Sequence, residues 1–148
     1  MCKERAIVLD IDGVILDSEI ILQEIYDLKL KGDDMWEYFQ KNCNSSRVTS
    51  ISSVYPLIAS FGNSTHVILS TARNDKCRQE TERKLKDENF PYEFLYMRKD
   101  GDYRSSAEVK RDHLKDIARK FDIIAFIDDD LSNCEMAKGE GIFALRKV

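Results

Sequence analysis

Short strand-like runs alternate with longer amphipathic segments along most of this chain. The five runs are Ala6 to Leu9, His66 to Leu69, Phe94 to Met97, Ile123 to Ile127 and Phe143 to Leu145. The first is apolar at every position, which is typical of a central parallel strand that is buried on both faces. Strands that alternate with helices predict an α/β fold, namely a Rossmann-like open parallel sheet with helices on both faces.

The segment between the first two runs carries three sets of helix signals. Ser18 to Leu30 places apolar residues on one face of a helix, which we expect to stop at Gly32. Asp34 with Glu37 resembles a capping box for a second helix. A third helix is predicted around Pro56, because proline is favoured in the first turn.

Two further helices are predicted in the second half of the chain. Asp75 to Glu88 is highly charged and indicates a helix on the surface. Ser105 and Glu108 have the spacing of a capping box, and the helix they open carries apolar residues toward the core as far as Phe121.

The composition fits one globular domain over residues 1–148. Charged residues make up 34% of the chain, against about 25% in an average protein. We expect no signal peptide or membrane span, because Asp10 and Asp12 interrupt the apolar stretch near the N-terminus. The four cysteines form no C-x-x-C pair, so we expect reduced thiols in a cytoplasmic protein. The net charge of −4 argues against a broad electrostatic grip on duplex nucleic acid and is compatible with contact at a single phosphate.

Polar side chains follow three of the predicted strands, where parallel sheets bind their ligands. Carboxylates there suit a hard divalent cation such as Mg²⁺, while the hydroxyl and cationic groups suit an anion. An EF-hand is excluded, because the glycine and asparagine spacings of both acidic clusters are wrong. The residues are Asp10 and Asp12 after the first strand, Thr71 and Arg73 after the second, Asp128 and Asp129 after the fourth, and Lys110 in the first turn of the preceding helix.

Four motifs in this order resemble the haloacid dehalogenase (HAD) superfamily of phosphohydrolases. They are VLDIDGV around Asp10, ILSTAR around Thr71, Lys110 itself, and FIDDD around Asp128. The resemblance spans nearly the whole chain and implies a HAD-like fold. It also implies a Mg²⁺-dependent phosphomonoester hydrolase that works through an aspartyl-phosphate intermediate.

The resemblance assigns a role to each motif residue. Asp10 would be the nucleophile, and Asp12 would protonate the leaving group and then deprotonate water. Thr71 and Lys110 would hold the phosphate oxygens. The metal ligands would be Asp10, the backbone carbonyl of Asp12, and Asp128, with Asp129 orienting Lys110 or a metal-bound water.

The segment Arg98 to Lys110, RKDGDYRSSAEVK, resembles the 3′-phosphatase domain of phage-type polynucleotide kinase/phosphatase. This closer resemblance implies a substrate with a 3′-phosphate, on a nucleic-acid end or a nucleotide, and places Arg73, Arg98 and Arg104 at the rim. That family carries acidic residues just before the lysine-containing turn, where this chain has serine and alanine. No G-x-x-x-x-G-K-[ST] motif occurs in the chain, so no kinase activity is expected.

Several alternatives remain open from the sequence. The segment of about residues 18–62 is predicted to form a helical insert or minimal cap domain. So small a cap would leave the mouth of the site open, which suits a polymer end or another bulky substrate. Arg98 and Arg104 have equal reason to pair with Asp100 and Asp102. Trp36 is expected either to pack a helix or to stack on a base. The competing functions are a nucleotidase or small-metabolite phosphatase, and a non-catalytic phosphate-binding module.

Overall fold

A five-stranded parallel sheet, in the spatial order β5-β4-β1-β6-β7, forms the centre of the molecule. The computed structural model describes residues 2–148. In chain order the elements are β1 (Glu4–Leu9), β2 (Leu16–Asp17), α1 (Glu19–Asp27), α2 (Gly32–Asn42), β3 (Thr49–Ser50), α3 (Val54–Ser60), β4 (Thr65–Asn74), a 3₁₀ turn (Asp75–Cys77), α4 (Arg78–Asp87), β5 (Phe94–Arg98), α5 (Ser106–Lys120), β6 (Phe121–Asp128), α6 (Leu131–Gly139) and β7 (Ala144–Arg146).

Strand β1 lies in the middle of the sheet because every residue from Ala6 to Leu9 is apolar and fully buried. Successive side chains of a strand point to opposite faces. Ala6 and Val8 pack in a hydrophobic cluster with α5 and α6. Ile7 and Leu9 pack in another, which includes residues of α1 and α4. The predicted α/β architecture with helices on both faces is therefore confirmed.

Residues of the insert between β1 and β4 share the hydrophobic cluster on one face of the sheet. Ile21 and Ile25 of α1, together with Val48 and Val54, are buried in that cluster. Strand β2, which precedes α1, pairs with β3, which follows α2, in a two-stranded antiparallel ribbon. The insert thus adds no separate core among the described residues, and it stands beside the carboxyl end of β1.

Two of the predicted helix boundaries in the insert are wrong. Helix α1 ends at Asp27, and the chain reverses through Lys29, whose φ is 54°. Gly32 does not stop α1 but begins α2. The residue before α2 is Lys31, which makes no side-chain cap, so the predicted capping box at Asp34 does not form. The ribbon of β2 and β3 was not predicted, because each strand is only two residues long.

Helix α6 was not predicted, although it borders the functional site. The side chain of Asp130 accepts hydrogen bonds from the backbone N–H groups of Ser132 and Asn133 and so caps the helix. In the sequence, this capping residue is the last of three consecutive aspartates, so it does not stand out as a helix signal. The helix buries Cys134 and Met136, but its apolar periodicity is weak because Asn133 is buried as well.

The start of α5 follows the sequence prediction. Ser105 Oγ accepts from the backbone N–H of Glu108, while the Glu108 carboxylate accepts from the backbone N–H of Ser105. Both members of the predicted capping box are therefore present. No helix within residues 2–148 has the length and apolar character needed to cross a bilayer.

Replacing Ser105 by alanine is expected to lower the free energy of unfolding by about 1 kcal/mol, because the first turn of α5 loses its side-chain acceptor. Urea denaturation of the wild type and the variant measures the change. Ser64→Ala is the control, since Ser64 is exposed and caps no helix. Equal unfolding midpoints for all three proteins would contradict the assignment of the cap.

Candidate active site

The carboxyl ends of β1, β4 and β6 lie side by side, because β1 pairs with β4 on one edge and with β6 on the other. After β1 the chain adds β4 and β5 on one side of that strand, and then crosses over to add β6 and β7 on the other side. The carboxyl end of β1 is therefore the point where the strand order reverses. Open α/β sheets bind their ligands at such a point. Asp10, Thr71 and Asp128 stand there and are all buried.

Lys110 lies between two of these carboxylates. Its Nζ is 2.9 Å from Asp10 Oδ1 and 2.7 Å from Asp128 Oδ2. The side chain is only 1% exposed, and it reaches the site from the fifth position of α5. Burial alone would lower the pKa of Lys110, but the two carboxylates outweigh it and hold the pKa above its ordinary value. Lys110 is therefore a permanent cation at the centre of the site.

Three carboxylates beside this lysine form a compact oxygen cluster. One oxygen each from Asp10, Asp128 and Asp129 lie within 4.8 Å of one another. Asp129 is held against Gly13, whose missing side chain leaves the necessary space. A Cβ built on Gly13 would stand 2.1 Å from Asp129 Oδ2. The glycine of the D-x-D-G motif thus allows the carboxylate of another strand end to approach its backbone.

Asn133 completes this cluster from the first turn of α6. Its Nδ2 donates to Asp128 Oδ2 at 3.1 Å and to Ser106 Oγ at 3.2 Å. The side chain is nearly fully buried, and its Oδ1 has no hydrogen-bond partner among the described residues. A buried acceptor without a donor is costly. Mg²⁺ usually keeps several water ligands. A water molecule bound to such a cation would be a suitable donor to Asn133 Oδ1.

The charge balance of the site supports a divalent cation. When all four are ionised, Asp10, Asp12, Asp128 and Asp129 carry four negative charges against the two positive charges of Lys110 and Arg73. Burial raises the pKa of Asp10 to about 8 and also raises that of Asp129, with Asp128 adding to both shifts. Carboxylate oxygens are the ligands that Mg²⁺ prefers, and a dication would relieve this excess charge.

Asp12 turns away from the oxygen cluster and pairs with Arg73. Arg73 Nη2 and Nε donate to the two carboxylate oxygens of Asp12 at 2.7 and 2.8 Å, and Ser18 Oγ donates at 2.5 Å. Burial would raise the pKa of Asp12, but Arg73 and Ser18 together hold it below its ordinary value. Two aspartates separated by one residue therefore have opposite pKa shifts, set by two different environments.

Arg73 does not lie at the rim, which corrects its predicted position. Its side chain is 2% exposed, and all five of its N–H donors have acceptors. Beyond Asp12, it donates to Asn44 Oδ1, to Thr81 Oγ1 and to the backbone carbonyl of Cys43. The guanidinium is therefore fully occupied inside the protein, and it links the acid Asp12 to the insert.

Thr71 is placed as the sequence suggests, at the end of the buried part of β4. It is 1% exposed and lines the same cavity as Asp10 and Lys110. Its Oγ1 accepts from the backbone N–H of Arg73 at 3.1 Å. This bond orients the oxygen, and the hydroxyl proton is left to donate to an anion in the cavity.

Arg98 and Arg104 brace the loop that follows β5 and line a groove next to the catalytic cavity. Arg98 donates to the backbone carbonyls of Ala72, Asp102 and Arg104. Arg104 pairs with both carboxylate oxygens of Asp102 and with Asp112. Of the two alternatives for Arg104, a free position at the rim or a pair with a loop aspartate, the structure shows the pair with Asp102.

Several residues that build the site carried no signal in the sequence. Asn133 lies on a helix that was not predicted, and Ser18 and Asn44 come from the insert. None of the three belongs to a sequence motif. Each contacts a motif residue through one side-chain hydrogen bond, and that contact is visible only in the structure. Only Gly13 was marked by its place in D-x-D-G, and its close contact with Asp129 gives that glycine a physical reason.

The catalytic cavity has a volume of about 310 Å³. Its polar lining includes Asp10, Asp12, Thr71, Lys110 and Asp129. One wall is apolar and belongs to the insert, which contributes Leu22, Met35, Trp36 and Phe39. A phosphate group at this polar lining would therefore lie next to an apolar surface.

Known structures share this fold. The structure of the Pnkp1/Rnl/Hen1 RNA repair complex matches with a TM-score of 0.77 and 22% identity, covering 98% of this chain and 42% of that chain. A class C acid phosphatase from Bacillus anthracis with tungstate bound matches at 0.67 and 18%, covering 97% and 68%. A HAD-family enzyme from Bacteroides thetaiotaomicron in complex with magnesium and inorganic phosphate matches at 0.58 and 14%, covering 98% and 94%.

A parallel sheet with aspartates following β1 and at the end of β6 is the arrangement of the haloacid dehalogenase class of phosphatases. A sequence profile of the family described as the polynucleotide kinase PNKP phosphatase domain matches residues 4–146, and the chain belongs to this family. The chain spans less than half the length of the matching chain of the RNA repair complex. No curated protein matches the chain by sequence.

Replacing Gly13 by alanine is expected to remove most phosphatase activity, because the new Cβ would collide with Asp129. The φ of 84° at Gly13 adds a strain of about 1–2 kcal/mol. Gly62→Ala is the matched control, since Gly62 has a φ of 80° and open space around its added Cβ. Activity on p-nitrophenyl phosphate and unfolding in urea should show similar destabilisation of both variants, and lost activity only for Gly13→Ala. Equal activity in the two variants would show that Asp129 needs no fixed position.

Proposed function

We propose that this chain is a Mg²⁺-dependent phosphomonoester hydrolase that removes 3′-phosphates from nucleic-acid ends. The observation that carries the proposal is the buried ion cluster, in which Lys110 bridges Asp10 and Asp128, and one oxygen each of Asp10, Asp128 and Asp129 lie within 4.8 Å of one another. The family to which the chain belongs and its likeness to a chain of an RNA repair complex support a polynucleotide substrate.

Asp10 is the nucleophile in this proposal. One of its carboxylate oxygens attacks phosphorus, the bond from phosphorus to the ester oxygen breaks, and an aspartyl-phosphate forms. Water then attacks the same phosphorus, the bond to Asp10 breaks, and inorganic phosphate leaves. Burial favours the neutral form of Asp10, while Lys110 at 2.9 Å favours the carboxylate that the attack needs.

Charge on the phosphate is held by groups that are in place before the substrate arrives. Lys110 and the Thr71 hydroxyl face the cavity and would bind the non-bridging oxygens. Asp10, Asp128 and Asp129 would hold Mg²⁺, with the Asp12 carbonyl as a further ligand. When bound, the ion supplies positive charge that lets an anionic nucleophile approach an anionic phosphate.

Asp12 transfers the protons in both steps. It gives a proton to the leaving ester oxygen in the first step and removes one from water in the second. Arg73 and Ser18 fix its carboxylate and favour the charged form. The negative charge of an arriving phosphate opposes that effect and favours the protonated acid. Arg73 is therefore a positioning residue, which acts on substrate only through Asp12.

The four cysteines, Cys2, Cys43, Cys77 and Cys134, are free thiols in the structure. Free thiols persist in reducing compartments. The free thiols support a cytoplasmic location, a compartment in which nucleic-acid ends and nucleotides occur as possible substrates.

A substrate panel tests the proposed reaction. With Mg²⁺, the wild type is expected to release phosphate from 3′-phosphorylated oligonucleotides, and chelation by EDTA should abolish the release. Asp10→Asn should lower the rate by on the order of 10⁴-fold or more, since the nucleophile is lost. Asp122→Asn, an exposed carboxylate on β6, serves as the control. Release by Asp10→Asn at the wild-type rate would refute the mechanism, while a strong preference for mononucleotides would identify a nucleotidase instead.

Replacing Arg73 by glutamine is expected to slow esters with poor leaving groups selectively. Loss of the Asp12 clamp should lower kcat/KM, which reports the first step, for a 3′-phosphorylated oligonucleotide by about 10²- to 10⁴-fold, the usual contribution of general acid catalysis. The kcat/KM for p-nitrophenyl phosphate should be affected less, because p-nitrophenolate leaves in that step without a proton. Asp12→Asn should show the same selectivity. An equal loss on both esters would mean that Arg73 supports the fold rather than the acid.

A further inference from the structure

An exposed aromatic ring stands at the mouth of the candidate active-site cavity. Trp36 on α2 is 52% exposed and lines the cavity that contains Asp10 and Lys110. It also lines the adjoining groove of about 340 Å³. It is the single tryptophan of the chain. The ring thus stands where the organic part of a phosphate ester would emerge from the cavity.

Packing does not explain this position. The neighbouring Met35, Tyr38 and Phe39 are partly buried against the hydrophobic cluster under the insert, whereas Trp36 belongs to neither hydrophobic cluster of the described residues. An exposed tryptophan beside a polar cavity leaves a large apolar face in water, and burying that face against a ligand gives a favourable contact. The second of the two roles considered for Trp36, stacking on a base, agrees with this exposure.

Three cations line the groove, and each is already engaged. Lys76 lies 3.1 Å from Asp100, Arg104 pairs with Asp102 and Asp112, and Arg98 donates to three backbone carbonyls. Asp33 and Glu37 add negative charge to the same groove. The groove therefore has no excess of positive charge with which to follow a nucleic-acid backbone. Recognition beyond the reacting phosphate must come from apolar or aromatic contact.

We propose that Trp36 stacks on the nucleobase of the terminal nucleoside, so that the enzyme selects nucleoside 3′-phosphate ends by one aromatic contact. The inference rests on the proposed function, since it names the part of the substrate next to the reacting phosphate. Every base presents an aromatic face, so the selection tolerates any sequence. Few further phosphates are held, and binding depends only weakly on salt.

Fluorescence of the single tryptophan measures this contact without turnover. In the inactive Asp10→Asn variant, adenosine 3′-monophosphate is expected to quench the emission with saturation. β-Glycerophosphate, which has a phosphate and no ring, should leave the emission unchanged. Quenching of equal size by both ligands would report a change in the site rather than stacking, and it would overturn the inference.

Kinetics separate binding from chemistry. Trp36→Ala is expected to raise KM for a 3′-phosphorylated oligonucleotide by about 5- to 140-fold, the range for one stacked base, with kcat within about twofold. Trp36→Phe should restore most of the loss, because it keeps an aromatic face. Hydrolysis of β-glycerophosphate should be the same in all three proteins. Tyr26→Ala removes an aromatic ring of α1 that is 78% exposed and should change nothing.

The outcomes distinguish this inference from the function on which it rests. If the wild type hydrolyses no phosphate ester with Mg²⁺, the proposed function fails. If the wild type is active and Trp36→Ala leaves KM unchanged, or changes both esters equally, only the stacking contact fails. A steep decline of affinity with salt, beyond that of about one phosphate contact, would likewise point to backbone binding and overturn the inference.

Discussion

The buried ammonium group of Lys110 is the constraint on which the active site depends. It lies between Asp10 and Asp128, and all three side chains are nearly inaccessible to water. Removing one member of such a group leaves an unpaired charge in a medium that solvates it poorly. The pairs also join β1, β6 and α5, so the same contacts link the sheet to α5 and influence the ionisation of Asp10. The capping box at Ser105 begins α5 at the position from which its lysine reaches both carboxylates.

A second cation divides the chemistry of the site in two. Lys110 pairs with Asp10, the proposed nucleophile, while Arg73 binds Asp12 and leaves no donor for anything else. The two aspartates are separated by one residue, yet burial raises the pKa of one and ion pairing lowers that of the other. Arg73 also holds Asn44 of the insert. The insert, which carries Trp36, is thus connected through one guanidinium to Asp12, the proposed acid.

Sequence patterns predicted most of this architecture, for identifiable reasons. A fully apolar strand such as Ala6 to Leu9 can only be central, and aspartates directly after such strands must meet at one edge of a parallel sheet. The capping box of α5 is a local signal and was found. Helix α6 and Asn133 were missed, because their cap lies inside an acidic run and their apolar periodicity is weak. The stop expected at Gly32 was wrong, since Lys29 adopts the left-handed turn instead.

What the sequence by itself determined is the five strands of the main sheet, most of the helices, the parallel arrangement and the kinds of groups at the strand ends. These follow from local periodicity and from the rule that strand ends share an edge. The tertiary structure alone decided which charge pairs with which. A sequence shows that Arg73 comes shortly after the apolar run of the second strand, but only packing shows that its side chain turns inward to Asp12, and that Trp36 stays in water while its neighbours are covered. Burial and pairing depend on residues far apart in the chain, and local patterns carry no record of them.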